Sequence, residues 1–138
     1  MNIFQNFPAF EEIPHKADAA IIAYGYDYPE LFINASLGMY HILRIIGVGR
    51  PEVQDTILLK AFDVESLLVS FLTELLFLAE NGLKSEVLEL RIEKNNLYSR
   101  ILKTPIISIA NEIKAVTFNE MKINKYDDIY QTKIVFDL

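Results

Sequence analysis

Two short segments near opposite ends of the chain hold the side chains best suited to chemistry. Pro14-His15-Lys16-Ala17-Asp18 leads into an alternating stretch, and Val135-Phe136-Asp137-Leu138 closes the sequence. Asp137 stands next to the carboxylate of Leu138, which concentrates negative charge. If Asp18 folds back beside them, three oxygen donors converge, a set suited to a hard cation such as Ca²⁺ or Mg²⁺. Taken singly, each acid reads as a solvated turn or cap residue. Taken together they form a cluster that costs energy unless a cation, Lys or Arg compensates. His15, three residues before Asp18, can reach the same locus, although a structural His bonded to backbone is its ordinary role.

Three further residues stand out. A period of two over Glu112 to Asn119 places Ile113, Ala115, Thr117, Asn119 and Met121 on one face and Lys114 on the other. Thr117 is a polar interruption of its face. Lys114 reads either as an exposed edge lysine or as a functional cation. Glu74 lies at the border of an apolar helical arc. There is no nucleophile elbow, phosphate-binding glycine loop or HExxH zinc motif. The chain is therefore expected not to be an enzyme in its own right.

Composition narrows the classes. The chain has 138 residues and no cysteine, which excludes disulfides, thiolate zinc sites and thiol nucleophiles. Two histidines are too few for a His-rich metal site. Net charge is −6, with no basic stripe, so tight direct binding to a nucleic-acid backbone is not expected. The first residues lack the basic and apolar regions of a signal peptide. The most apolar segment, residues 64–79, carries Glu65 and Glu74 and is shorter than a membrane span. The reading is a cytoplasmic protein without membrane association.

Local patterns then place the elements. Phe10 to Ile13 and Asp18 to Tyr26 read as strands. Asp27 and Glu30 form a capping box for a first helix, which ends near Arg44 to Gly47. Its stripe of Leu31, Ala35, Gly38, Met39 and Ile42 faces a core. Gly47 to Pro51 reads as a loop and Val53 to Lys60 as a strand. Asp63 caps a second helix that Asn81-Gly82 ends. Its apolar residues extend beyond one face to Val69, Leu76 and Phe77, so cover on more than one side is expected. Strands Val87 to Lys94 and Asn96 to Leu102 flank a turn at Asn95-Asn96. Thr104 to Asn111 reads as a connection. A final hairpin joins Glu112 to Ile123 with Ile129 to Asp137 around Lys125 to Asp128. The predicted fold is one α+β domain over residues 1–138, with two helices on one side of a largely antiparallel sheet.

In their order and spacing these segments resemble the archease family. Glu12 to Asp18 resembles its N-terminal acidic motif. Tyr24-Gly25 with Glu30-Leu31-Phe32 is similar to its passage from strand to first helix. Glu65 to Val69 with Thr73 to Leu76 resembles its second helix. Glu112 to Phe118 and Val135 to Leu138 resemble its most recognisable strand and its ending. Pro14 and Lys16 replace an acid and a threonine of the N-terminal motif. Ser70 and Asn119 stand where an acid and a histidine are common.

The resemblance implies a protein cofactor of an RtcB-type RNA ligase in tRNA splicing or RNA repair. Such a cofactor stimulates guanylylation and turnover of the ligase and meets RNA only through it. The implied divalent cation, Ca²⁺ or Mg²⁺, carries over onto Asp18, Asp137 and Leu138. Lys114 matches a lysine the family uses, with His15, Thr117 and Glu74 as further candidates. The alternative is a chaperone-like or adaptor module of the same fold without metal dependence.

Overall fold

The computed structural model describes residues 7–15, 18–50, 53–117 and 121–138. Its elements follow in the order β1 (Phe10–Ile13), β2 (Ala19–Gly25), α1 (Tyr28–Leu43), β3 (Ile45–Val48), β4 (Val53–Lys60), α2 (Val64–Glu80), β5 (Leu83–Glu93), β6 (Asn96–Ile109), β7 (Ala115–Thr117), β8 (Asn124–Tyr126) and β9 (Ile129–Asp137). This is the α+β arrangement read from the sequence, and its strand pairs are antiparallel.

The strands form two sheets rather than one. The first runs β1-β2-β9-β7, with β8 also paired to β9. In the second, β6 takes β5, β4 and β3 as neighbours. Helices α1 and α2 touch strands of both sheets, so the core lies around the helices. Phe32, Phe71, Leu31, Leu68, Leu72 and Leu75 are fully buried there. Each contributes about 1.5–3 kcal/mol of apolar transfer free energy.

Both helices start where their acids allow. The Asp27 carboxylate accepts from the Glu30 N–H at 2.8 Å, and the Glu30 carboxylate accepts from the Tyr26 N–H at 2.7 Å. Asp63 accepts from the Ser66 N–H at 2.7 Å. Two glycines set how closely α1 approaches the first sheet. A Cβ on Gly25 would lie 2.3 Å from the Leu31 backbone nitrogen, and one on Gly38 would lie 2.3 Å from Ile21 Cδ1.

Several boundaries move for tertiary reasons. Residues 104–109, read as a connection, continue β6 to Ile109, where they pair with β3. Pro105 is tolerated because it stands between the last β4 pair, Val53–Lys103, and the first β3 pair, Val48–Ile106. No ladder donor is required there, and its carbonyl accepts from the Gly49 N–H at 2.8 Å. The same pairing makes Ile45–Val48 a strand, where the end of the helix and the start of a loop were expected. The β5–β6 turn falls at Lys94-Asn95, one residue early, because Asn95 braces the β4–α2 loop. Its Nδ2 donates to the Phe62 carbonyl at 2.8 Å, and its carbonyl accepts from the Ala61 N–H at 3.0 Å. The segment read as one strand from Glu112 to Ile123 is strand only at Ala115–Thr117 among its described residues.

The caps make two predictions. Asp27→Ala lowers the free energy of unfolding in urea by about 1 kcal/mol. Hydrogen bonds from Ser66 hold the Asp63 carboxyl below the usual carboxylate range, and a hydrogen bond from Lys103 does the same for Asp55. Such groups stabilise the fold above the unfolded carboxylate range, and that stabilisation is lost as pH falls through the depressed folded values. The urea midpoint therefore drops as pH is lowered below about 4. Asp63→Asn, which still caps, reduces that slope.

Candidate functional site

Strand β9 builds the candidate site by pairing on both edges. On one edge Ala19 faces Phe136, Ile21 faces Ile134 and Ala23 faces Thr132. On the other, Ala115 faces Asp137, Val116 faces Phe136 and Thr117 faces Val135. Ala19, Ile21, Ala23, Val116, Ile134 and Phe136 all belong to the hydrophobic core, so this row is the one turned to the helices. Alternation sends Ala20, Val135 and Thr117 to the opposite face.

Continuing the β2–β9 register by one residue puts Asp18 opposite Asp137, on the face turned away from the helices. Directly paired cross-strand residues have Cβ atoms about 4.5–5.5 Å apart. The register thus directs two acids that lie 119 positions apart in sequence to the same end of the β2–β9 pair. Asp18 is half-buried and Asp137 exposed. The His15 Nδ1 lies 3.9 Å from an Asp18 carboxylate oxygen, which draws His15 to the same locus. Leu138 is half-buried, with its side chain against the core. Lys16 lies outside the described residues.

Lys114 reaches the locus through its backbone. Its N–H donates to the Asp137 carbonyl at 2.7 Å, which ties the start of β7 to the end of β9. Lys114 is exposed and borders a groove with Thr73, Leu76, Phe77 and Glu80 of α2. The carboxylates and the lysine therefore share one end of the sheet. The expected face of Ile113, Ala115 and Thr117 does not form. Ile113 is buried before the strand begins, Ala115 is exposed, and Val116 points to the core. Thr117 Oγ1 is buried and has no hydrogen-bond partner among the described residues. Asn119 lies outside the described residues.

Glu74 is half-buried on α2, but Thr73, Phe77 and Glu80 are the α2 residues that border Lys114 with Leu76. Phe77, expected to be covered, is 58 % exposed. Composition reading also left His41 and Glu12 without a role. The β1–β2 register turns Glu12 to α1, where its carboxylate lies 3.0 Å from His41 Nε2.

A divalent cation needs more donors than this pair supplies. Ca²⁺ takes six to eight oxygens. Among the described residues no group of three or more His, Asp or Glu side chains comes together to hold a metal. The carboxylates of Asp18 and Asp137 are of the oxygen-donor type that hard cations take.

Comparison with known proteins gives the family of this chain. The sequence model of the Archease protein family matches residues 10–138. The chain belongs to the archease family. Protein archease of Methanosarcina acetivorans is 32% identical over 139 residues, covering 94% of this chain and 95% of its own. Protein archease of Thermococcus kodakarensis is 30% identical over 128 residues, covering 86% of this chain and 90% of its own. The solution structure of protein 1598 of Methanobacterium thermoautotrophicum superposes with a TM-score of 0.73 at 27% identity, covering 94% of this chain and 99% of that one. A 2.0 Å crystal structure from Thermotoga maritima, described as an archease and possible chaperone, shares the fold with a TM-score of 0.69 at 23% identity. It covers 91% of this chain and 94% of its own. The order of the archease segments read in the sequence is thus the order of a shared fold. No described helix is long and apolar enough to cross a membrane.

The register makes a prediction that needs no metal. Paired like charges destabilise a sheet. In the presence of chelator at low salt, Asp137→Asn raises the free energy of unfolding by a few tenths to about 1 kcal/mol. The gain shrinks as salt is added.

Proposed function

We propose that this archease is a protein cofactor of an RtcB-type RNA ligase, raising its guanylylation and turnover in tRNA splicing or RNA repair. The observation that best supports the reading is the cross-strand Asp18–Asp137 pair at the end of the first sheet, in a chain that belongs to the archease family. Asp18, Asp137 and a main-chain oxygen of Leu138 would hold a Ca²⁺ or Mg²⁺ ion. The cation would neutralise the paired carboxylates and offer open coordination positions to oxygens of the ligase. The residues of this chain orient those carboxylates: β9 sets their spacing, and the Lys114 N–H holds the Asp137 backbone. His15 and Thr117 lie beside the pair, and Glu74 lies further along α2. A net charge of −6 complements a basic RNA-binding enzyme and favours fast encounter. RNA is met only through the ligase.

A chaperone-like or adaptor role without metal is the second reading, favoured by exposed apolar side chains such as Phe62 and Ile107. It predicts ligase-independent suppression of client aggregation that chelators leave unchanged.

Guanylylation and multiple-turnover RNA joining by the ligase of the same organism separate the two. Acceleration at substoichiometric amounts of this protein is the expected result. Asp137→Ala abolishes stimulation while circular dichroism and the urea midpoint stay native. Full stimulation by Asp137→Ala would overturn the role given to the acid pair, and no stimulation by the wild type would move the adaptor reading forward.

A further inference from the structure

Two small concavities meet along the second half of α2. One, about 180 Å³, is lined by Leu43, Leu76, Ala79 and Ile113, with Glu80 and Glu112 at its margin. The other, about 210 Å³, lies between α2 and β7 and takes Thr73, Phe77, Lys114 and Val116 as walls. Leu76 and Glu80 border both, so the two lie side by side along α2. Phe77 stands on the rim of the second, 58 % exposed, although it belongs to a helix whose neighbours Leu75, Leu76 and Ala79 are buried. Covering that ring would be favourable by about 1.5–3 kcal/mol.

Charge and position say what would cover it. The Glu80 and Glu112 carboxylates make no ion pair among the described residues. An apolar floor with acids at its margin complements an apolar side chain next to a Lys or Arg. The groove is also continuous with the candidate site. Lys114 forms its wall, and the Lys114 N–H donates to the Asp137 carbonyl. A partner seated on the Asp18–Asp137 end of the sheet meets this groove by wrapping around β7, the edge strand.

We infer that the groove between α2 and the Ile113–Val116 segment, with Phe77 on its rim, is the surface on which the ligase docks an apolar side chain flanked by a basic one. The inference rests on the ligase reading above. In it, the two sites divide the labour: the groove supplies affinity and the acid pair supplies stimulation.

The test measures stimulated guanylylation against archease concentration for the full chain and for Phe77→Ser, Glu80→Lys and Leu58→Ser. Leu58, 72 % exposed on the second sheet, is the control. Phe77→Ser and Glu80→Lys are expected to raise the half-maximal concentration about tenfold or more, the range of an interface hot spot, and to leave maximal stimulation unchanged. Leu58→Ser shifts neither. Native urea midpoints for the variants exclude unfolding as the cause. If Phe77→Ser fails to fold, Glu80→Lys decides alone. Wild-type stimulation with half-maximal concentrations within twofold for both groove variants would overturn the groove. A fall in maximal stimulation without a shift in half-maximal concentration would also overturn it. No stimulation by the wild type would overturn the ligase reading and this inference with it.

Discussion

Strand β9 is the member on which the rest of the first sheet depends. It pairs with β2 along one edge and with β7 and β8 along the other, so removing it leaves those strands without a common neighbour. Its inward residues Ile134 and Phe136 are fully buried under the helices, which pins its register. A slip of one residue would turn Phe136 to the opposite face, bring Val135 and Asp137 to the core face, and take Asp137 out of register with Asp18. Burial of one phenyl ring thus decides where two carboxylates meet.

That meeting is unfavourable by itself. Cross-strand positions usually hold complementary or apolar pairs, and two acids opposite one another repel. Lys114 is held by its backbone to the same end of the sheet, borders the α2 groove and forms no ion pair among the described residues. Among the described residues Asp18 has the His15 imidazole at 3.9 Å, and Asp137 has no ion-pair partner. A fold that keeps such a pair on a well-buried strand carries a feature better suited to binding than to stability, as functional sites often do.

The helices make this end of the sheet rigid. Helix α1 approaches β2 so closely that Gly25 and Gly38 leave no room for a Cβ, and the Asn34 side-chain amide donates to the Tyr24 carbonyl at 2.7 Å. Helix α2 spans both sheets, capped at one end by Asp63 and bordering β7 further along. Asp137 and Phe77 are held by regular elements, while Asp18 and Lys114 stand one residue before β2 and β7. The fold places a charged surface and an apolar one within reach of a single partner.

Much of this was legible in the sequence where the signal is local. The Asp27–Glu30 and Asp63 caps, the spans of β4 and β9 and the turn before Ile129 all follow from side chains that act on their own backbone. Membership of the archease family was legible in the order of short motifs. Tertiary pairing alone decided the rest. Thr104-Pro105 contradicts strand propensity, and only the gap between β4 and β3 makes room for proline. The division into two sheets follows from the length of β6, which gathers three neighbours. The alternation around Lys114 breaks at Ile113 because the chain there is irregular and buried against α2. Asp18 and Asp137 could be named as acids from sequence, but their pairing required two distant strands to find one register, and that register is set by buried side chains on the opposite face.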